Sequence, residues 1–164
     1  MDTIGVTPRA DLFYEARYAA LLCQMVAHVI EIEGPIYDDV LVTRIARAHG
    51  FQRSGGNIQA LVLAAVDRRF PRTKEDGRDI FWKEGTRTDV PVPYRSSSRE
   101  IRSHTDIPII ELAGLAGPFA RLRMSDDQVL RRMAEQFELG RLREAARVRF
   151  ERAIALARSE LEGR

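Results

Sequence analysis

Between residues 53 and 78 stand eight side chains suited to contact with a polyanion: Arg53, Ser54, Asn57, Arg68, Arg69, Arg72, Lys74 and Arg78. Guanidinium and ammonium groups neutralise phosphates, and such contacts supply most of the sequence-independent affinity for nucleic acid. The Asn57 amide has the donor and acceptor pair that an adenine edge requires, and Gln59 stands close enough to assist. Ser54 could bond a phosphate oxygen or cap a helix. The same cations also fit a plain solvated surface, and the sequence leaves both readings open.

Other chemistry is not signalled. No Gly-x-x-x-x-Gly-Lys-Ser/Thr loop is present to hold nucleotide phosphates. His28, His49 and His104 are scattered and lack a cysteine at zinc spacing. His49 precedes a turn glycine and reads as structural. Asp38-Asp39 and Asp126-Asp127 read as helix-start residues rather than metal ligands. Ser96, Ser97 and Ser98 have no base at a suggestive spacing. The lone Cys23 lies in an apolar helical stretch and reads as a buried structural thiol, which excludes an internal disulfide. The expectation is a non-enzymatic chain that needs no cofactor and no metal.

The elements that must position these residues follow from periodicity. Leu12, Ala16, Ala19, Ala20, Cys23, Val26, Ala27 and Ile30 recur at three- and four-residue steps and predict a helix over 12–32, whose inward face Leu22, Met25 and Val29 widen into a deeply packed one. Glu33-Gly34-Pro35 stops it. Asp38 is the expected N-cap of a second helix, with Leu41, Ile45 and Ala48 inward. His49-Gly50-Phe51 breaks the chain. Ser54 is the expected N-cap of a third helix, in which Ile58, Leu61, Val62, Ala65 and Val66 form the buried stripe. Asn57, Ala60, Ala64 and Asp67 should face outward, a poor set for reading a phosphate-lined groove. A polar, Gly-containing loop from Pro71 to Arg78 is closed by Ile80-Phe81-Trp82, which favour a strand. The order is that of a winged helix-turn-helix over 12–84.

Residues 85–106 are rich in Ser, Arg and Pro and predict an extended connection, either functional or wrapped over the surface. Helices are expected over 108–116, 126–137 and 142–162, making a helical repeat over 107–162 packed on the first unit. At an offset of 88 residues Asp38-Asp39 becomes Asp126-Asp127, Arg44-Ile45-Ala46 becomes Arg132-Met133-Ala134, and Val62 becomes Phe150. The fold class predicted is therefore mostly α with a small β wing: a winged helix-turn-helix, then a second, wingless helix-turn-helix-like copy.

Charge is distributed to match. Residues 41–104 hold 13 basic and seven acidic groups, a surplus of six, whereas residues 1–40 hold two and seven, a deficit of five. No apolar run approaches the roughly 18 residues that span a bilayer, and no secretory leader is visible, so no membrane partner and a reducing, cytoplasmic setting are expected. The last helix carries Arg141, Arg143, Arg147, Arg149 and Arg152, offset by Glu144 and Glu151, a pattern that predicts pairing along its surface.

One stretch resembles a known family. It is Glu31-Ile32-Glu33-Gly34-Pro35-Ile36 followed by Leu41-Val42-Thr43-Arg44-Ile45-Ala46-Arg47-Ala48-His49-Gly50-Phe51-Gln52-Arg53. It is similar to the uncharacterised, winged-helix-like domain at the C-terminal end of large bacterial superfamily I DNA helicase proteins, which often also carry a Vsr-like endonuclease domain. Asp106-Ile107-Pro108, Glu111-Leu112-Ala113 and Arg141-Leu142-Arg143-Glu144-Ala145 extend the likeness over roughly 12–158. The resemblance implies an accessory module beside a DNA helicase, in DNA processing or defence against foreign DNA. It brings no catalytic residues, and the ATPase and nuclease parts are not in this sequence. The expected partners are DNA, duplex or single-stranded, and helicase or nuclease domains of the same system. The alternative is a protein–protein interaction module that docks on helicase domains or self-associates.

Overall fold

A computed structural model describes residues 7–96 and 101–163, so Ser97 and Ser98 of the serine run lie outside the described residues. The protein is mostly helical, with one small antiparallel sheet of three strands. It divides into two compact units, Met1–Thr88 and Asp89–Arg164.

The first unit opens with 3-10 turns at Ala10–Leu12 and Ala16–Tyr18, and only then enters α1, Ala19–Glu33. The single helix expected from residue 12 is thus corrected to two short turns and a later start. Its buried face is Leu22, Met25, Val26, Val29 and Ile30, and Cys23 is exposed, against expectation. The predicted face is wider than the buried one. The larger side chains bury more apolar area per residue, so they take the core, Ala27 packs partly buried against it, and Ala19, Ala20 and Cys23 take the surface.

Gly34 ends α1 with φ −63°, so no left-handed cap is needed. Its glycine answers to space instead, because a Cβ there would lie 2.7 Å from the Ile30 carbonyl and 2.9 Å from the Lys83 nitrogen. Strand β1, Ile36–Tyr37, leads into α2, Asp38–Ala48. Asp38 is the first residue of this helix rather than its N-cap, a position held by Tyr37. Both Asp38 and Asp39 still lie in the first turn, where negative charge meets the positive helix end. At the corner after α2, Gly50 adopts φ +80° and the Phe51 N–H returns to the Ala46 carbonyl at 3.0 Å.

Helix α3 spans Gly56–Ala64 with Gly55 at its N-cap, so Ser54 does not cap it. Ile58 and Val62 are buried, but Leu61 is 37% exposed and leaves the predicted stripe. In place of the expected loop from Pro71, β2, Arg72–Glu75, and β3, Arg78–Phe81, form a tight hairpin. Its two-residue tip, Asp76-Gly77, has positive φ at both positions, which Asp-Gly supplies at low cost. The sheet order is β1-β3-β2, with Ile36 opposite Phe81 and Tyr37 opposite Ile80. Ile36 and Phe81 join the core of α1, α2 and α3 around Leu41, Ile45 and Val62.

His49 sits in this core as a structural residue. Its Nδ1–H donates to the Ile45 carbonyl at 2.8 Å, which leaves Nε2 to accept from the Tyr18 hydroxyl at 2.8 Å. Phe13 and Phe51 pack around the ring.

Among its described residues the second unit has a 3-10 turn, His104–Asp106, and three α-helices: α4, Ile109–Arg121, α5, Asp126–Gln136, and α6, Glu144–Glu162. Helix α4 runs five residues beyond its expected end at 116, through Pro118. Ser125 and Gln128 form a reciprocal capping box at the start of α5. Ala113, Ala116, Ala153 and Ala157 are all 3% exposed or less, and small residues of this kind let α4 and α6 approach closely. Residues 89–96 belong to this unit, where the Val92 N–H donates to the Ile110 carbonyl at 3.3 Å.

The two units follow one local plan. From Asp38 to Asp126 and from Gly56 to Glu144 the helix starts are offset by 88 residues, as are the ends at Ala48 and Gln136. The corner hydrogen bonds recur at the same offset: Leu139 N–H to the Ala134 carbonyl at 3.0 Å, and Glu138 N–H to the Glu135 carbonyl at 3.0 Å. Glu138 takes φ +51° where the first unit has Gly50.

His104 provides a test of the second unit. Its ring lies edge-on to Phe137 and Phe150 at centroid distances of 6.1 and 5.4 Å. Burial, and then Arg149, push its pKa below the usual 6.5, with Asp106 opposing. The folded state therefore binds fewer protons than the unfolded chain as pH falls. Its stability is complete above the unfolded-state pKa and declines as pH drops through about 6.5. Unfolding midpoints at about pH 7.5 and about pH 5.5 should differ more for the wild type than for His104→Gln. Equal differences would remove His104 as the cause.

Candidate nucleic-acid interface

The eight residues singled out by type occupy four places in the first unit. Arg53 and Ser54 lie in the bend before α3, Asn57 in its first turn, Arg68 and Arg69 in the turn after it, and Arg72, Lys74 and Arg78 on the hairpin. All are exposed except Arg78, which is half-buried.

Alternation along β2 explains the hairpin positions. Thr73 and Glu75 turn inward, where the Trp82 indole Nε1–H donates to Thr73 Oγ1 at 2.8 Å and the Tyr37 hydroxyl donates to Glu75 Oε1. Arg72 and Lys74 consequently share the opposite, exposed set of positions. Tyr37 and Trp82 are 1% exposed each, so the inner register is fixed by two large anchored rings.

Half of the six cations are already engaged. Arg69 pairs with Glu84 at 3.1 Å and lies over the Phe70 ring. Arg72 binds Asp79 and also lies over Phe81, 5.5 Å from its centroid. The Arg72 guanidinium holds the Asp79 carboxyl below the usual carboxylate range, against the opposing effect of burial. Arg78 pairs with Asp39 and stacks 3.5 Å from the Tyr37 centroid. These contacts order the guanidiniums and lower the local positive potential. Arg53, Arg68 and Lys74 make no ion pair among the described residues. The positions expected to face outward, Asn57, Ala60, Ala64 and Asp67, are all exposed and hold no cation, and Asp67 lies past the end of α3.

The polar cluster that type and spacing missed is Glu111, in the second unit. It is completely buried on α4. The Arg95 backbone N–H donates to its Oε1 at 2.9 Å, Arg95 Nη2 and Arg102 Nη1 each reach Oε2 at 3.2 Å, and Arg102 Nη2 bonds Oε1. Arg102 also donates to the Arg95 carbonyl at 2.7 Å. A carboxylate set in the apolar run Ile109-Ile110-Glu111-Leu112-Ala113 was the signal available. Its role is to fasten the segment before α4 onto that helix. No three or more His, Cys, Asp or Glu gather at a metal site, and no helix is long and apolar enough to cross a membrane, among the described residues.

Fold and site together define a small, mostly helical protein with a hairpin that exposes Arg72 and Lys74 on its outer strand. Residues 11–60 match the family described as "Protein of unknown function (DUF3320)", an uncharacterised domain family. No curated protein and no solved structure matches the chain. The matched stretch runs from the first 3-10 turn into α3, so it takes in Arg53, Ser54 and Asn57 and stops short of the hairpin.

Proposed function

We propose that this chain is a non-catalytic DNA-binding module that grips the phosphate backbone without strong sequence preference, as an accessory to a bacterial helicase or nuclease system. The first unit is read as a winged helix: a strand, two helices meeting at the Gly50 corner, and a hairpin that closes the sheet in the order β1-β3-β2. The observation that carries the reading is the exposure of Arg53, Arg68 and Lys74, before α3, after it and on the wing, none of them held in an ion pair among the described residues. The cation-free outward face of α3 favours backbone contact over base reading. The helicase setting rests on the family resemblance of residues 31–53.

Fluorescence anisotropy with duplex and single-stranded DNA tests this directly. Affinity should fall steeply between about 50 and about 200 mM salt. Arg53→Ala, Arg68→Ala and Lys74→Ala together should weaken duplex binding at least about tenfold and flatten the log–log salt slope by about 2–3, since each contact contributes about 0.9. Arg72 is left in place because its removal would strand the buried Asp79 carboxylate. No binding by the unaltered chain to either form of DNA would reject the reading.

A second reading is a protein-docking module for helicase domains, favoured by Leu61, which is 37% exposed beside Ala60 and Ala64 on α3. Pull-down with a helicase core and sizing by light scattering distinguish it. A monomer that retains no helicase domain counts against it.

A further inference from the structure

We propose that the exposed arginines at the start of α6, with Arg141 and Arg143 just before the helix and Arg147 in its first turn, form a second contact surface for the phosphodiester backbone of a nucleic acid. The offset of 88 residues that superposes the two corners by sequence puts 141–152 where 53–64 stand in the first unit. In that place the first unit has a single cation, Arg53, and no acid. The second unit has five arginines against Glu144 and Glu151, a surplus of three. The basic character that α3 lacks is thus found at the corresponding positions of the second helix pair.

Side-chain contacts decide which arginines remain available. Arg149 is half-buried and its Nη2 donates to the Ile107 carbonyl at 2.8 Å, so it belongs to the fold. Arg147 meets Glu151 at 3.3 Å with both side chains nearly half exposed, a helix-surface pair of little strength that a phosphate can displace. The surface pairing expected from sequence therefore reaches one arginine of the three. Arg141 and Arg143 are exposed and make no ion pair among the described residues. Between the arginines stand Ala145 and Val148, both exposed and short enough for a sugar–phosphate backbone to lie close. From Glu144 to Arg152 the helix rises roughly 12 Å. A duplex carries one charge per about 1.7 Å of axis, so several phosphates fall within reach of such a face.

This surface is separate from the one proposed on the first unit, and the experiment keeps the two apart. The full chain carrying Arg141→Ala, Arg143→Ala and Arg147→Ala is compared by anisotropy with the unaltered chain and with the Arg53, Arg68 and Lys74 variant, on duplex and on single-stranded DNA. The expected result is at least about tenfold weaker binding and a salt slope flattened by about 2–3 on duplex, or about 2 on single strands. The corresponding triple lysine variant should restore both, because the contact is one of charge. Unchanged far-UV circular dichroism and melting keep the comparison valid, as expected for three exposed side chains. If the α6 variant binds like the unaltered chain while the first-unit variant does not, the α6 surface is overturned and the first-unit site stands. If only the α6 variant loses binding, the α6 surface stands and the first-unit site falls. An unaltered chain that binds neither form of DNA overturns both.

Discussion

Replacing Glu111 with leucine is expected to cost the second unit about 3–5 kcal/mol, the penalty of breaking a buried ion pair from one side. The carboxylate is 0% exposed and meets two guanidiniums and one backbone N–H. Without it, Arg102, whose side chain is only 13% exposed, keeps its charge and loses its main acceptor. The residues before α4 lose their anchor at the same time. Adding Arg102→Leu should return much of the loss, because an apolar pair is far less costly to bury than an orphaned cation. Urea unfolding followed by far-UV circular dichroism measures both variants, fitted for two transitions because the chain has two units. A single-variant loss below about 1 kcal/mol would mean that water reaches this carboxylate and that the arginines do not depend on it.

The second large effect is expected at Gly114, in the middle of α4. In an exposed helix interior, glycine to alanine stabilises by up to about 1 kcal/mol. Here the sign reverses. A Cβ at this position would fall 1.8 Å from the Val92 carbonyl oxygen and 3.2 Å from the Tyr94 nitrogen. The obstructing atoms are backbone, so no rotamer change relieves the clash. Either α4 or the 92–94 segment must move, and the Val92 to Ile110 hydrogen bond goes with it. Gly114→Ala should therefore lower stability by about 1–3 kcal/mol or more, whereas Gly117→Ala, whose Cβ meets nothing nearer than Arg121 Nη1 at 3.9 Å, should not. Equal behaviour of the two variants would show that the segment is not seated on α4.

The two cases illustrate where the sequence was readable. Local chemistry carried well: the Gly-containing stretch 71–78 holds the hairpin tip, Asp126-Asp127 begin α5, and His49-Gly50-Phe51 breaks the chain after α2. The helix end expected at 116 fell short, although a proline normally ends a helix. Here α4 continues to Arg121, and the Leu122 N–H bonds back to the Pro118 carbonyl. In α1 the periodicity was right and the face too wide: Leu22, Met25, Val26, Val29 and Ile30 are buried, whereas Ala19, Ala20 and Cys23 are exposed, because only packing narrows the stripe of an alanine-rich stretch. The candidate site was legible in residue type and exposure. It was not legible in electrostatics, because the acids that engage Arg69, Arg72 and Arg78 are Glu84, Asp79 and Asp39, the last lying 39 residues from its partner. Glu111 was hidden for the same reason: its guanidinium partners stand 16 and nine residues upstream on an irregular segment.

Strand β2 lies at the rim of its sheet, paired on one side to β3. An open rim invites a further strand from a neighbouring molecule, and cationic side chains are a common deterrent. Arg72 and Lys74 stand on that rim at alternate positions, where the hairpin's charge opposes edge-to-edge pairing. Neutralising both would remove a solubility safeguard together with any polyanion contact, and colloidal behaviour at high protein concentration is the property in which that second role is visible.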